Sequence, residues 1–126
     1  ILNSELKSVN NATNCKDLGI KKENIDLVRR GMEAACTNGG TAYPLFGFSV
    51  HNSRFVENGN VKITLACKTG TAEFGDPANR THAWLTAYAP ANDPQIAVTA
   101  IIEAAGEGSD VAAPVVKKVL EEWFGR

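Results

Sequence analysis

Three strand-like runs, the last two joined by a short turn, constrain the fold of this chain more than any other feature of its sequence. Residues 61–68 alternate between apolar and polar or small side chains, which is the pattern of a half-buried strand. Residues 81–90 form a second run that ends at a proline, and residues 95–103 form a third run that is almost entirely apolar. Because only the turn at residues 92–94 joins the last two runs, we expect them to pair antiparallel. The apolar third strand is expected to be central.

Helical periodicity occurs before these runs. Between residues 22 and 36 apolar side chains recur at helical spacing, with charged residues on the other face. The predicted apolar face consists of Ile25, Val28, Met32 and Ala35. The pair Gly39-Gly40 is expected to end this helix.

A second helix is predicted after the strands. Ser109 or Asp110 can cap its first turn, where Pro114 is tolerated, and Gly125 ends it. Its predicted apolar stripe consists of Val115, Val119, Leu120 and Trp123.

The order helix, three strands, helix predicts an α+β fold, with an antiparallel sheet of about three strands and flanking helices. A length of 126 residues favours a single domain over residues 1–126. Residues 1–20 are expected to be an irregular lead-in. Residues 41–60 are expected to be a long loop, with Asn58-Gly59 as the turn of any hairpin within it.

Composition excludes several classes of function. The chain has 13 basic and 14 acidic side chains and a net charge of −1, so nothing indicates a nucleic-acid partner. No apolar stretch approaches the roughly 20 residues that cross a bilayer. The first residue is not methionine, and no signal-peptide pattern follows it, so we expect an excised or processed piece.

Three cysteines leave several interpretations open. Cys15, Cys36 and Cys67 form no CxxC pair, and their spacing predicts no metal site and no cofactor. A disulfide between Cys15 and Cys36 is one alternative in an oxidising compartment. Cys67, beside Lys68 and one strand from His82, is an alternative nucleophile. The favoured interpretation is that all three are small buried apolar side chains.

The stretch "LACKTGTAE" carries the chemistry that the sequence makes most plausible. Lys68 brings a positive charge, Thr69 and Thr71 bring hydroxyl groups, and Gly70 has no Cβ that would keep a ligand's backbone away. These groups can hold the carboxylate of an extended peptide at a strand edge. In a flat strand Lys68 and Thr69 point to opposite faces, so both reach one ligand only at that edge or at a bend near Gly70.

An ordered set of segments extends this motif. The segments "LVRRGMEAAC…GGTA", "CKTGTAE", "HAWLTAYAPANDPQIAVTAIIE", "GEGSDVAAPVV" and "LEEWF" follow one another. Over residues 20–124 this order resembles the C-terminal part of the transpeptidase domain of class B penicillin-binding proteins, with the elongation type favoured by the passage before "AAP". The resemblance implies a partial transpeptidase fold of the kind shared with serine β-lactamases. It also implies a parent D,D-transpeptidase, anchored through its N-terminus at the outer face of the cytoplasmic membrane, that cross-links peptidoglycan stem peptides and is acylated by β-lactams.

The resemblance also implies roles for the motif residues. Lys68 would supply positive potential and hydrogen bonding beside the serine motifs of the family. Thr69 and Thr71 would contact the substrate carboxylate, and the backbone N–H of Thr71 would form half of the oxyanion hole. Cys67 stands where the family commonly has glycine, which leaves the local strand shape less certain.

The nucleophilic serine of that family is not evident in this sequence. Ser4 and Lys7 have the S-x-x-K spacing, and Ser8 to Asn10 imitate the second serine motif. We reject both, because in the family these motifs lie far apart in sequence on opposite sides of the cleft. The chain is therefore expected to be inactive alone and to need the missing N-terminal part of its domain. An uncovered sheet surface would then favour self-association.

A different class of function stays open at this stage. The same strand edge could serve a non-catalytic peptide-binding or interaction module.

Overall fold

The computed structural model describes residues 19–53 and 56–125. In chain order the elements are α1 (Lys22–Ala35), a 3₁₀ turn (Tyr43–Leu45), β1 (Ser49–Ser53), β2 (Val56–Lys62), β3 (Ala66–Glu73), β4 (Thr81–Ala89), β5 (Ile96–Ile102), a π-helical turn (Gly108–Ala112) and α2 (Ala113–Phe124). The predicted α+β class with flanking helices is confirmed.

The main sheet has the strand order β3-β4-β5, and both pairs are antiparallel. The predicted antiparallel pairing of the last two strands is therefore confirmed. The central position predicted for the third run is wrong, because β4 lies in the middle and β5 is an outer strand of this described sheet. The apolar side chains of β5 are half-buried on one face, while Ile101 on the other face is 42% exposed. Apolar composition alone did not reveal which strand has two neighbours.

The first predicted strand, residues 61–68, is divided between two elements. β2 ends at Lys62, and β3 begins at Ala66. The link between them runs across the core, because the Ile63 N–H donates to the Phe48 carbonyl at 3.1 Å and both Ile63 and Leu65 are buried. An extended link buries alternate residues just as a strand does, so the alternation predicted one strand instead of two.

A hairpin does form within the predicted long loop, but its turn is elsewhere. β1 and β2 pair antiparallel, with Ser53 opposite Val56, so Asn58-Gly59 lies within β2 and not between the two strands. Asn58 has a φ of 55° inside β2, where the register shifts relative to β1. The Asn-Gly pair therefore occupies a bulge instead of the turn, since a bulge also admits residues with positive φ.

Helix α1 has the predicted extent but does not bury the predicted face. None of its residues is buried, and Ile25 and Val28 are 52% and 62% exposed. The chain reaches the core only at Cys36, the residue that follows the helix. Gly40 then lies so close to the helix end that a Cβ there would be 2.4 Å from the Ala34 carbonyl oxygen.

Helix α2 differs from the prediction at its start. Ala112 is its N-cap residue, without a side-chain hydrogen bond, so neither Ser109 nor Asp110 caps the helix. The π-helical turn precedes α2 instead, and Pro114 lies in the first turn of the helix as expected. Gly125 is the C-cap, as predicted.

The buried face of α2 also differs from the predicted stripe. The buried residues are Ala113, Val116, Leu120 and Phe124. Of the predicted stripe only Leu120 is buried, whereas Val115, Val119 and Trp123 are 43%, 40% and 39% exposed. The helix has apolar residues on two faces, and the position of the sheet determines which face is buried. Among residues 19–53 and 56–125, no helix is both long and apolar enough to cross a membrane.

Candidate functional site

A cleft of about 700 Å³ runs along the free edge of β3. Its lining comes from three segments of the chain that lie far apart in sequence: the loop after α1, the start of β3 and the π-helical turn before α2. The residues are Gly40, Thr41, Tyr43, Lys68, Thr69, Gly70, Thr71, Glu107, Gly108, Ser109 and Asp110. All four residues of the predicted KTGT motif therefore line one cleft.

The motif residues reach this cleft from both faces of β3. Lys68 is exposed, whereas Cys67 before it is fully buried, as strand alternation requires. Thr69 pairs with Leu85 and so lies on the core-facing side, opposite to Lys68. The Lys68 ammonium reaches back to the backbone of β3, where it donates to the main-chain carbonyl of Thr69.

Gly108 allows the π-helical turn to lie against the sheet backbone. A Cβ on Gly108 would be 2.0 Å from the Trp84 carbonyl oxygen and 2.8 Å from the Gly70 carbonyl oxygen. A Cβ on Gly70 would be 3.2 Å from the Trp84 Cβ. Larger residues at Gly108 would push the turn away and widen the cleft.

The loop after α1 supplies a further wall of the cleft. The Thr69 hydroxyl donates to the Thr41 hydroxyl at 2.8 Å. Two residues further on, the Tyr43 hydroxyl donates to the Asp110 carboxylate. Both residues belong to the predicted long loop, and no local pattern indicated that its start lies beside the motif.

Basic and acidic side chains lie on different walls of the cleft. Lys68 is the basic side chain of the lining, and Glu107 and Asp110 of the π-helical turn and its N-cap are the acidic ones. The hydrogen bond to Asp110 raises the pKa of Tyr43 above its ordinary value, with desolvation as a second cause. Tyr43 therefore remains a neutral hydrogen-bond donor at physiological pH.

A disulfide joins the loop to the motif strand. Cys36 and Cys67 are bonded, with 5.7 Å between their Cα atoms. The alternative pairing of Cys36 with Cys15 is therefore wrong, although Cys15 itself lies outside the described residues. Burial of Cys36 and Cys67 was expected and is observed, but as a cystine instead of separate thiols. Their pairing depends on the packing of the end of α1 against β3, which the sequence did not indicate.

The disulfide also removes the alternative nucleophile. Cys67 is fully buried and has no free thiol. His82 is engaged elsewhere, because its Nδ1 accepts from the Ala104 N–H at 3.0 Å and its ring stacks on Phe74 with 4.1 Å between centroids. A cysteine nucleophile assisted by Lys68 and His82 is therefore excluded.

The two serine-containing stretches, Ser4 with Lys7 and Ser8 to Asn10, lie outside the described residues.

Comparisons with known proteins identify the family. The model of the penicillin binding protein transpeptidase domain matches residues 2–121. The chain is 47% identical over 65 residues to the peptidoglycan D,D-transpeptidase PbpA of Mycolicibacterium smegmatis, covering 46% of this chain and 13% of that protein. It is 49% identical over 45 residues to the peptidoglycan D,D-transpeptidase MrdA of Haemophilus influenzae, covering 36% of this chain and 7% of that protein.

Two solved structures match over most of the chain. One is penicillin-binding protein 2 (PBP2) of Pseudomonas aeruginosa in complex with WCK 5153, with 37% identity, a TM-score of 0.61, and coverage of 82% of this chain and 20% of that chain. The other is the complex between PBP2 and MreC from Helicobacter pylori, with 34% identity, a TM-score of 0.62, and coverage of 90% of this chain and 20% of that chain. This chain thus spans a fifth or less of the length of these four proteins.

The match to the family model covers nearly the whole chain, and the two solved structures match its fold in part. The predicted resemblance to a class B penicillin-binding protein is confirmed, and the chain belongs to the penicillin-binding protein transpeptidase domain family.

Proposed function

We propose that this chain is the C-terminal subdomain of a peptidoglycan D,D-transpeptidase and contributes one wall of its active site. The observation that carries the proposal is the cleft along β3, where Lys68, Thr69, Gly70 and Thr71 all line an open strand edge. The relatives named above are peptidoglycan D,D-transpeptidases. Because PBP2, PbpA and MrdA are among the matches, we favour the elongation type.

The geometry suits recognition of a peptide that ends in a carboxylate. An edge strand offers backbone N–H groups to an extended peptide, and Gly70 leaves room for its main chain. Lys68 provides the charge, and Thr69 and Thr71 provide hydroxyl donors for a carboxylate. Stem peptides of peptidoglycan and β-lactams are the substrate classes that we assign to this edge.

The same strand would stabilise the transition state of acyl transfer. A tetrahedral intermediate develops negative charge on the former carbonyl oxygen, and the backbone N–H of Thr71 is the donor that we assign to it. A preorganised donor of this kind is worth about 3 kcal/mol in other acyl-transfer enzymes. Thr71 is exposed and lines the cleft, which supports this assignment.

The nucleophile would come from the N-terminal part of the same domain. We propose that this N-terminal part forms the other wall of the active site. The isolated chain would then be inactive, because it lacks the nucleophile. The sheet offers a surface for it, since the paired residues Trp84 and Ile101 are 39% and 42% exposed on the outward face of β4 and β5. In the isolated chain this uncovered face would favour self-association. The parent protein would act at the outer face of the cytoplasmic membrane, held by an N-terminal anchor.

Mass spectrometry with benzylpenicillin tests the proposal. We expect the intact mass of the isolated chain to stay unchanged, and a protein that restores the upstream transpeptidase region to gain one penicilloyl group. Lys68→Ala in the longer protein should slow acylation strongly, whereas Lys118→Ala, an exposed lysine on α2, should not.

Two outcomes would contradict the proposal. Acylation of the isolated chain would place a competent nucleophile within these 126 residues. Reversible peptide binding by the longer protein, without any penicilloyl adduct, would favour a non-catalytic binding module that uses the same strand edge.

A further inference from the structure

Thr41 is the side chain that contacts the motif from the opposite wall of the cleft. Its hydroxyl lies 2.8 Å from the hydroxyl of Thr69. Thr41 is itself exposed, so this hydrogen bond fills no gap in the core. Packing of the core therefore does not account for this hydroxyl pair.

The loop that carries Thr41 is attached to the site at both ends. Before Thr41, Cys36 is covalently bonded to Cys67, which precedes Thr69 by two residues on the same face of β3. After Thr41, the Tyr43 hydroxyl donates to Asp110 on the far side of the cleft.

Backbone contacts hold the loop between these two attachments. The Gly40 N–H donates to the Thr37 carbonyl at 2.8 Å, and the Ala42 N–H donates to the Ala35 carbonyl at 2.9 Å. Ala42, next to Thr41, is fully buried. The backbone on either side of Thr41 is thus held near β3 by the disulfide, by hydrogen bonds and by packing.

We propose that Thr41 is a positioning residue for Thr69, which it orients for the carboxylate of the substrate; this rests on the function proposed above. A hydroxyl has one proton to donate. In the structure Thr69 gives this proton to Thr41. When a carboxylate occupies the cleft, Thr69 turns its proton to the carboxylate, and Thr41 becomes the donor to the Thr69 oxygen. The resulting chain from Thr41 through Thr69 to the carboxylate polarises each hydrogen bond in the same direction.

A pair of related β-lactams separates this role from a structural one. Benzylpenicillin carries the carboxylate, and its methyl ester does not. In the longer protein that contains the upstream region, Thr41→Val removes the hydroxyl at nearly constant shape. We expect it to lower the acylation rate with benzylpenicillin about fivefold, the equivalent of one neutral hydrogen bond. The rate with the methyl ester should not change, and Thr41→Ser should restore the rate with the free acid.

A double-mutant cycle with Thr69→Val provides a second readout that needs only benzylpenicillin. If Thr41 acts through Thr69, Thr41→Val should have no further effect once the Thr69 hydroxyl is gone. Equal slowing with acid and ester, or additive effects of the two substitutions, would overturn the proposal.

Failure of this inference is distinguishable from failure of the proposed function. If benzylpenicillin acylates the longer protein but Thr41→Val behaves like the wild type, only the role of Thr41 is wrong. If benzylpenicillin does not acylate the longer protein at all, the proposed function fails, and the role of Thr41 fails with it.

Discussion

Gly108 lies directly against the backbone of Trp84, so closely that a Cβ on the glycine would be 2.0 Å from the carbonyl oxygen of the tryptophan. Non-bonded carbon and oxygen atoms do not approach to that distance in a folded protein, so a side chain at Gly108 would have to displace the backbone of Trp84. Gly108 belongs to the turn that carries Asp110 and lines the cleft, and the contact therefore sets how closely this turn approaches the sheet.

Gly108→Ala is expected to destabilise the fold. Overpacking of this kind costs about 1–3 kcal/mol, and here the neighbouring atoms are backbone that cannot rotate away. Gly31→Ala is a matched control, because Gly31 lies in α1, has no positive φ and leaves open space where a Cβ would stand. The control should gain about 0.5–1 kcal/mol from helix propensity. Chemical denaturation measures both, and equal free energies of unfolding for the two variants would contradict the close approach.

Cys36 and Cys67 should be unreactive towards alkylating agents in the denatured, unreduced protein. The bond between them closes a sequence separation of 31 residues, and a loop of that order contributes about 2–4 kcal/mol of stability. Peptide mapping after alkylation should recover the two cysteines as one cross-linked peptide, with Cys15 as the labelled thiol.

Reduction provides the corresponding stability measurement. It should lower the midpoint of denaturation of the wild type and leave a Cys36→Ala/Cys67→Ala variant unchanged. Alkylation of Cys36 without prior reduction would show that the pairing is wrong.

Adjacent residues on α2 should respond very differently to truncation. Leu120 is fully buried against the sheet, and replacement of a buried leucine by alanine costs about 2–5 kcal/mol. Val119 is 40% exposed, so Val119→Ala should stay within about 0.5 kcal/mol of the wild type. Denaturation of the two variants checks which face of the helix is buried. A larger loss for Val119→Ala would favour the stripe that the sequence predicted.

Asp76 should make the fold sensitive to acid. Arg80 donates from Nε and from a terminal guanidinium nitrogen at 3.0 and 2.8 Å, and the backbone N–H groups of Ala78 and Arg80 donate as well. The Arg80 side chain is the main cause that lowers the pKa of Asp76 below its usual 3.8, and burial opposes it in part.

A lowered folded-state pKa contributes stability that is present above the ordinary carboxyl pKa and is lost as pH falls through the lowered value. Asp76→Asn should therefore flatten the dependence of the unfolding free energy on pH below about pH 4. Asp93→Asn, at an exposed position between β4 and β5, is a suitable control. An unchanged pH profile for Asp76→Asn would show that the pair does not contribute.

Several elements follow from local sequence because the forces that create them act between near neighbours. Charge and apolar periodicity define α1, and short turns force β4 and β5 to pair antiparallel. The motif from Lys68 to Thr71 was found from its chemistry, and the alternation of side chains placed Lys68 and Thr69 on opposite faces of the strand. An ordered set of motifs was enough to indicate the family.

Other features are decided by contacts between segments that are distant in sequence. The choice between the two apolar faces of α2 depends on where the sheet lies. The partner of Cys36 depends on how α1 packs against β3, and Cys67 is 31 residues away. Local periodicity predicts neither the buried face of α2 nor the partner of Cys36. A helix with apolar residues on two faces can pack with either face against the sheet.

The sequence by itself determined the type and order of most elements, and the chemical groups offered by the KTGT strand. Only the tertiary structure decided that Thr41 and Tyr43 join the strand in one cleft, with Asp110 across from them. The physical reason is that periodicity and turn chemistry act within a few residues. The walls of a cleft are brought together by burial, by a disulfide and by two hydrogen bonds between segments up to 67 residues apart.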